Sequence, residues 1–132
     1  MKGKAAFVSD FDGTITGDDF FAYASEAFFD EKSLTPWRRF KKGEITHFEA
    51  LKEMFEKIRV SCGEFNAFMD KIPVDGGFAE GARICREKNM PVYICSAGCD
   101  YYINYLIGNI IEKYGVTLVA NRGSYSSETG LV

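Results

Sequence analysis

The chain has few of the features that mark membrane, secreted or zinc-binding proteins. No apolar run reaches the ~18–20 residues that a membrane-spanning helix needs, and the apolar part of the N-terminus is too short for a signal peptide. One histidine and four cysteines without a Cys-x-x-Cys pair offer few ligands for a zinc site. We therefore expect a cytoplasmic protein with reduced thiols and no membrane partner.

The chain also lacks an excess of positive charge, internal repeats and low-complexity segments. Its net charge of −3 argues against a generic nucleic-acid-binding protein. Its 132 residues, 46% of them hydrophobic, suffice for one domain or for a small domain with an insertion. Twelve phenylalanines and seven tyrosines would supply much of the core.

The most informative residues lie near the N-terminus. The apolar run at residues 5–8 predicts a short buried strand, and Asp10 and Asp12 follow it. Side chains two residues apart on an extended backbone point the same way, so both carboxylates can face one spot beyond the strand. Ligands bind at such strand ends in open α/β sheets, and Gly13 permits a sharp turn there. Two close carboxylates repel each other and favour a bound cation or a raised pKa on one of them, although an Asp-x-Asp pair can also simply end a strand.

Strands and helices are predicted to alternate along most of the chain, which indicates a parallel α/β sheet. Residues 18–72 are predicted to form a helical insertion, with capping boxes at Thr46 with Glu49 and at Ser61 with Glu64. The other predicted elements are strands at 4–10, 91–95 and 116–120, helices at 78–88 and 100–114, and a turn-rich segment or hairpin at 121–132.

A second group of small and polar residues follows the predicted second strand. Ser96, Ala97 and Gly98 precede Asp100 and a helix. A hydroxyl and backbone N–H groups at a strand–helix junction suit an oxyanion. The same residues also fit an ordinary turn with Asp100 as the helix N-cap.

Taken together, these motifs resemble those of the haloacid dehalogenase (HAD) superfamily of phosphotransferases. The string Asp-Phe-Asp-Gly-Thr at residues 10–14 is similar to motif I, and Ser96-Ala97-Gly98 is similar to motif II. The helical insertion between them resembles the C1-capped, phosphoserine-phosphatase-like branch. Residues 96–103 look closest to phosphatases of methionine salvage, but phosphoserine and phosphocholine phosphatases share the pattern.

This resemblance implies a fold. We expect the N-terminal part of a HAD-like α/β fold, a three-layer Rossmann-like parallel sheet with a helical C1-type cap. Residues 1–16 and 75–132 would form an incomplete core, and residues 17–74 would form the cap. The family's sheet order is 5-4-1-2-3, so strand one would lie at an edge of this chain and favour self-association or binding of a complementing C-terminal fragment.

The resemblance also implies a chemistry, the Mg²⁺-dependent hydrolysis of a small phosphorylated metabolite. Asp10 would be the nucleophile that forms an aspartyl-phosphate, and Asp12 would be the general acid and base. Mg²⁺ would bind Asp10 and the backbone carbonyl of Asp12. The residues expected to bind phosphate are Phe11, Asp12, Ser96, Ala97 and Gly98.

Two of the family's motifs have no counterpart here. The third motif is a lysine beyond strand three, and the fourth is an acidic pair after strand four. After Val119 the only basic residue is Arg122 and the only acidic residue is Glu128. We therefore expect a C-terminally truncated chain with little turnover of its own. The alternative is a truncated or decayed non-catalytic HAD-like domain, or a phosphate- or metal-binding module.

Overall fold

Strands and helices alternate in the two outer parts of the chain, and helices fill the middle. The computed structural model describes residues 4–132. Among these, no helix is both long and apolar enough to cross a membrane. The elements are β1 (Phe7–Ser9), α1 (Phe20–Phe28), α2 (Thr35–Lys41), α3 (His47–Phe55), α4 (Cys62–Asp70), α5 (Gly76–Glu87), β2 (Val92–Cys99), α6 (Asp100–Tyr114), β3 (Thr117–Asn121), β4 (Tyr125–Ser126) and β5 (Gly130–Leu131).

Strands β1, β2 and β3 form a parallel sheet in that order. The predicted parallel α/β sheet, with a helical insertion after strand one, is therefore confirmed. Strand β2 is longer than predicted, because it continues past Cys95 to Cys99 with a shift of register against β3. A bulge of this kind bends a strand and redirects its side chains.

The prediction that strand one is buried was wrong. Phe7 is 43% exposed and Val8 is 61% exposed, whereas Ser9 at the end of the strand is buried. Among the described strands β1 pairs with β2 alone, so it lies at an edge of the sheet as the family order implied. Phe7 has a neighbouring strand on one side only, and Val8 lies on the face of the sheet on which Cys95 and Val119 are exposed as well.

The two faces of the sheet differ in burial. Val92 and Ile94 of β2 are buried on one face, whereas Val8, Cys95 and Val119 are exposed on the other. Parallel crossover connections are almost always right-handed. Because the chain moves in one direction from β1 to β2 to β3, both crossover helices, α5 and α6, are placed on the same face.

Contacts divide the chain into two compact units. One, the sheet unit, comprises the described residues up to Asp19 together with Met69–Arg122; the other, the helical unit, comprises Phe20–Phe68 and Gly123–Val132. The terminal hairpin of β4 and β5 thus packs with the helices, whereas the sequence placed it with the core. The reason is Tyr125, whose ring stacks on Phe65 with centroids 3.9 Å apart. The core and cap boundaries at 16/17 and 74/75 stay predictions.

Two of the predicted helix ends are confirmed by their capping geometry. Thr46 Oγ1 accepts a hydrogen bond from the Glu49 N–H at 3.2 Å, and Glu49 Oε2 accepts one from the Thr46 N–H at 2.7 Å. This is the predicted capping box at the start of α3. Gly115 ends α6 in the left-handed conformation, with a φ of 63°.

Candidate functional site

The loop after β1 winds tightly around one carbonyl group. The carbonyl oxygen of Phe11 accepts hydrogen bonds from the N–H groups of Thr14, Ile15 and Thr16, at 3.2, 2.9 and 3.3 Å. Gly13 has a φ of 73°, which the turn requires and glycine adopts without strain. The Phe11 ring is fully buried and anchors the loop to the sheet unit.

Asp10 lies at the end of β1 with an exposed side chain. Its Oδ2 accepts a hydrogen bond of 3.3 Å from the Thr14 hydroxyl, and its backbone carbonyl accepts one of 2.7 Å from the Ser9 hydroxyl. The carboxylate is thus tethered by the loop and accessible from solvent, as a nucleophile or metal ligand must be.

Asp12 is half-buried and points toward the end of the neighbouring strand. Its Oδ2 accepts hydrogen bonds from the Tyr102 hydroxyl at 2.7 Å and from Ser96 Oγ at 3.3 Å. Asp12 and Ser96 are 84 residues apart in the chain. The structure therefore brings the two sequence motifs together at the carboxyl ends of adjacent parallel strands.

The turn that contains Ser96 is held by its own backbone and by β3. Ser96 Oγ accepts a 3.0 Å hydrogen bond from the Gly98 N–H, and the Ala97 carbonyl accepts a 2.7 Å bond from Asn121 Nδ2. A Cβ atom at Gly98 would lie 1.8 Å from the Tyr102 hydroxyl oxygen and 2.7 Å from Asp12 Oδ2. Glycine is therefore required at this position for these groups to approach one another.

Helix α6 begins directly after this turn. Its N-cap is Cys99, whose Sγ accepts a 3.4 Å hydrogen bond from the Tyr101 N–H. The alternative expectation of Asp100 as the N-cap was wrong, because Asp100 is already the first helical residue. Burial raises the pKa of the Cys99 thiol, so the cap is uncharged at neutral pH.

Tyr102 is the site residue that sequence reasoning missed. It is 3% exposed, and its ring lies 6.1 Å from that of Phe11. Burial, followed by the charge of Asp12, raises the pKa of the Tyr102 hydroxyl far above its usual range, so the hydroxyl remains a donor. One sequence signal could have indicated its role. Tyr102 lies in the first turn of the predicted helix after motif II, and the hydroxyl of a tyrosine buried there needs a polar partner.

The carboxylate and carbonyl oxygen atoms at the site are of the type that Mg²⁺ prefers as ligands. Within residues 4–132, no group of three or more His, Cys, Asp or Glu side chains could hold a metal ion. Mg²⁺, however, is usually bound by one or two carboxylates, with water and substrate oxygens in its other positions. The exposed Asp10 carboxylate and the Asp12 carbonyl match that pattern and could supply the protein's share of the ligands.

Known proteins similar to this chain are named phosphatases. The 2-hydroxy-3-keto-5-methylthiopentenyl-1-phosphate phosphatases of Bacillus cereus (strain B4264) and Bacillus thuringiensis (strain Al Hakam) are each 25% identical to it over 121 residues. The match covers 90% of this chain and 54% of each relative, so the chain spans about half the length of these curated relatives. No family model matches the chain.

Solved structures confirm the HAD-like fold. A HAD family hydrolase from Salmonella enterica serovar Typhi has a TM-score of 0.70 at 13% identity, covering 98% of this chain and 46% of that one. A substrate-bound phosphoserine phosphatase has a TM-score of 0.67 at 18% identity, covering 98% and 61%. A probable phosphoserine phosphatase from Vibrio cholerae has a TM-score of 0.69 at 17% identity, covering 96% and 39%. The HAD-like fold that the resemblance implied is thus confirmed.

Proposed function

We propose that this protein is a phosphomonoester hydrolase of the HAD superfamily. The observation that carries the proposal is the contact between Asp12 and Ser96, which joins two motifs from distant parts of the chain at one end of the sheet. The names of the matched relatives support the same activity. For the substrate we propose a small phosphorylated metabolite. The names of the relatives make a phosphorylated methylthio keto compound the first candidate.

The proposed reaction has two steps that share the two carboxylates. An Asp10 oxygen bonds to phosphorus as the bond from phosphorus to the substrate oxygen breaks, and Asp12 gives a proton to that oxygen. Water then attacks the phosphorus of the aspartyl-phosphate, its proton passes to Asp12, and Asp10 is released with inorganic phosphate. The solved structure of a phospho-aspartyl intermediate analogue of phosphoserine phosphatase is similar to this chain, at 19% identity and a TM-score of 0.65.

The remaining polar groups of the turn would hold the phosphoryl oxygens. We assign this role to the Ser96 hydroxyl and to the backbone N–H groups of Phe11, Asp12 and Ala97, with Gly98 shaping the turn. Ser96 would exchange its long bond to Asp12 for one to phosphate. Asp10 and the Asp12 carbonyl would hold Mg²⁺, which, when bound, supplies neutralisation of the phosphoryl charge.

A substitution of the proposed nucleophile tests this function. In the Asp10→Asn variant, Mg²⁺-dependent hydrolysis of p-nitrophenyl phosphate should fall at least about 10³-fold, since the covalent step is lost. The control is Asp30→Asn, which makes the same change at an exposed aspartate of the helical unit. Without a motif III lysine, we expect even the unsubstituted chain to turn over below ~1 s⁻¹, because phosphoryl transfer depends on charge neutralisation.

Each outcome of that assay decides between the candidate functions. Slow hydrolysis that is lost in Asp10→Asn and kept in Asp30→Asn supports the phosphatase. Equal hydrolysis by Asp10→Asn and the unsubstituted chain overturns the assignment of the nucleophile. A complete absence of hydrolysis favours the alternative for this chain, a non-catalytic HAD-like domain or a phosphate- or metal-binding module.

We also propose that another polypeptide covers β1, either a second copy of this chain or a complementing C-terminal fragment. The support is the exposed Phe7 and Val8 on an edge strand, since natural proteins usually protect such edges. Val8→Lys should reduce self-association in light scattering, because an edge lysine opposes strand pairing. Val132→Lys, at a valine 47% exposed in the hairpin, is the control. If Val8→Lys and the unsubstituted chain are equally monomeric at high concentration, self-association through β1 is wrong.

A further inference from the structure

A buried tyrosine holds the carboxylate that moves protons in the proposed reaction. The Tyr102 hydroxyl donates to Asp12 Oδ2 at 2.7 Å, the shorter of the two hydrogen bonds described at that oxygen. Both residues lie in the sheet unit, Tyr102 on the first turn of α6 and Asp12 in the loop after β1. The bond thus links the loop that carries motif I to the helix that follows motif II.

The surroundings of Tyr102 restrict its hydroxyl to this one position. The ring is 3% exposed and packs at a tilt against the Phe11 ring, with centroids 6.1 Å apart. On the other side, the absence of a side chain at Gly98 leaves the space that the hydroxyl occupies, since a Cβ there would lie 1.8 Å from it. A rigid donor in a fixed pocket can hold a flexible carboxylate in one rotamer.

The same helix offers a contrast. Tyr105 also donates a 2.7 Å hydrogen bond to a carboxylate, that of Asp70, but Tyr105 is 41% exposed. Solvent can replace that bond at little cost, because a hydrogen bond between exposed groups is exchanged for one to water. Loss of the buried Tyr102 bond is not compensated in that way.

We infer that Tyr102 is a positioning residue for Asp12, fixing the side-chain rotamer from which Asp12 exchanges protons with substrate and water. This inference rests on the proposed function for its chemical meaning. Because Oδ2 accepts the short hydrogen bond from Tyr102, it is a poor site for an added proton. The proton that Asp12 transfers is therefore carried on Oδ1.

The test measures the Asp12 rotamer directly, by the NMR couplings between its Cα and Cβ protons in the full chain. In the unsubstituted protein we expect the limiting couplings of a single rotamer, which are either one large and one small or two small. In Tyr102→Phe, which keeps the ring and removes the hydroxyl, we expect two intermediate couplings from averaging between rotamers. The control Tyr105→Phe should leave the Asp12 couplings unchanged. A tyrosine that served packing alone would give the unsubstituted pattern in Tyr102→Phe, and that result overturns the inference.

A second measurement does not depend on a tyrosine substitution. The Tyr102 hydroxyl proton should exchange slowly with water and give an observable NMR signal, which Asp12→Ala should abolish by removing the acceptor. Persistence of that signal in Asp12→Ala would also overturn the inference. Neither readout requires phosphatase activity. Failure of the Asp10→Asn assay would therefore count against the proposed function, whereas unchanged Asp12 couplings would count against Tyr102 alone.

Discussion

Gly130→Ala should lower the free energy of unfolding by about 3 kcal/mol or more. Gly130 has a φ of 71°, and an alanine in the left-handed region costs roughly 1–2 kcal/mol. The added Cβ would also lie 2.3 Å from the carbonyl oxygen of Glu56 and 2.8 Å from that of Phe55. Backbone atoms cannot rotate aside as side chains do, and overpacking typically costs about 1–3 kcal/mol more.

Gly43→Ala is the matched control for this substitution. Gly43 has a similar φ of 77°, but a Cβ there would meet nothing within 4 Å. Gly43→Ala should therefore lower the free energy of unfolding only by the cost of placing alanine in the left-handed conformation, about 1–2 kcal/mol. Urea denaturation followed by circular dichroism measures both variants. Equal midpoints for the two would show that the hairpin backbone yields to the added methyl group.

Phe65→Ala should cost about 3–5 kcal/mol, the usual effect of removing a fully buried aromatic side chain. Phe65 is completely buried in the helical unit, stacked on Tyr125 at 3.9 Å and in contact with the rings of Phe20 and Phe28. The substitution leaves a cavity between the hairpin and the helices. Since small proteins are stable by only about 5–15 kcal/mol, the variant should lose much of its stability.

Phe48→Ala removes the same side chain from a surface position and serves as the control. Phe48 is 63% exposed, so its removal should change stability by no more than about 0.5 kcal/mol. Differential scanning calorimetry of the two variants gives the comparison. A change below about 1 kcal/mol in Phe65→Ala would mean that the stacked aromatic rings are not a stabilising core.

Local sequence patterns predicted much of the secondary structure. The limits of α6 and its ending at Gly115 were predicted from a helical pattern followed by glycine, and both are observed. The capping box of Thr46 and Glu49 is observed as well. These features depend on residues within a few positions of one another, so the sequence contains all the information needed to infer them.

Features that depend on distant residues were predicted less well. The hairpin at the end of the chain was expected with the core, but Tyr125 packs on Phe65, 60 positions earlier in the sequence. The exposure of Phe7 and Val8 depends on which strands lie beside β1 and on which face of the sheet is covered, and no local apolar pattern predicts either.

The candidate site shows the same division. By itself the sequence identified the residues that we propose carry the chemistry, because Asp10, Asp12 and Ser96 stand at strand ends that can be predicted from short apolar runs. The tertiary structure alone decided what those residues touch. The hydrogen bond from Tyr102 to Asp12 spans 90 positions and exists because Gly98 leaves room for it. Such a contact depends on the packing of a helix against two strands, which a linear pattern of residues does not specify.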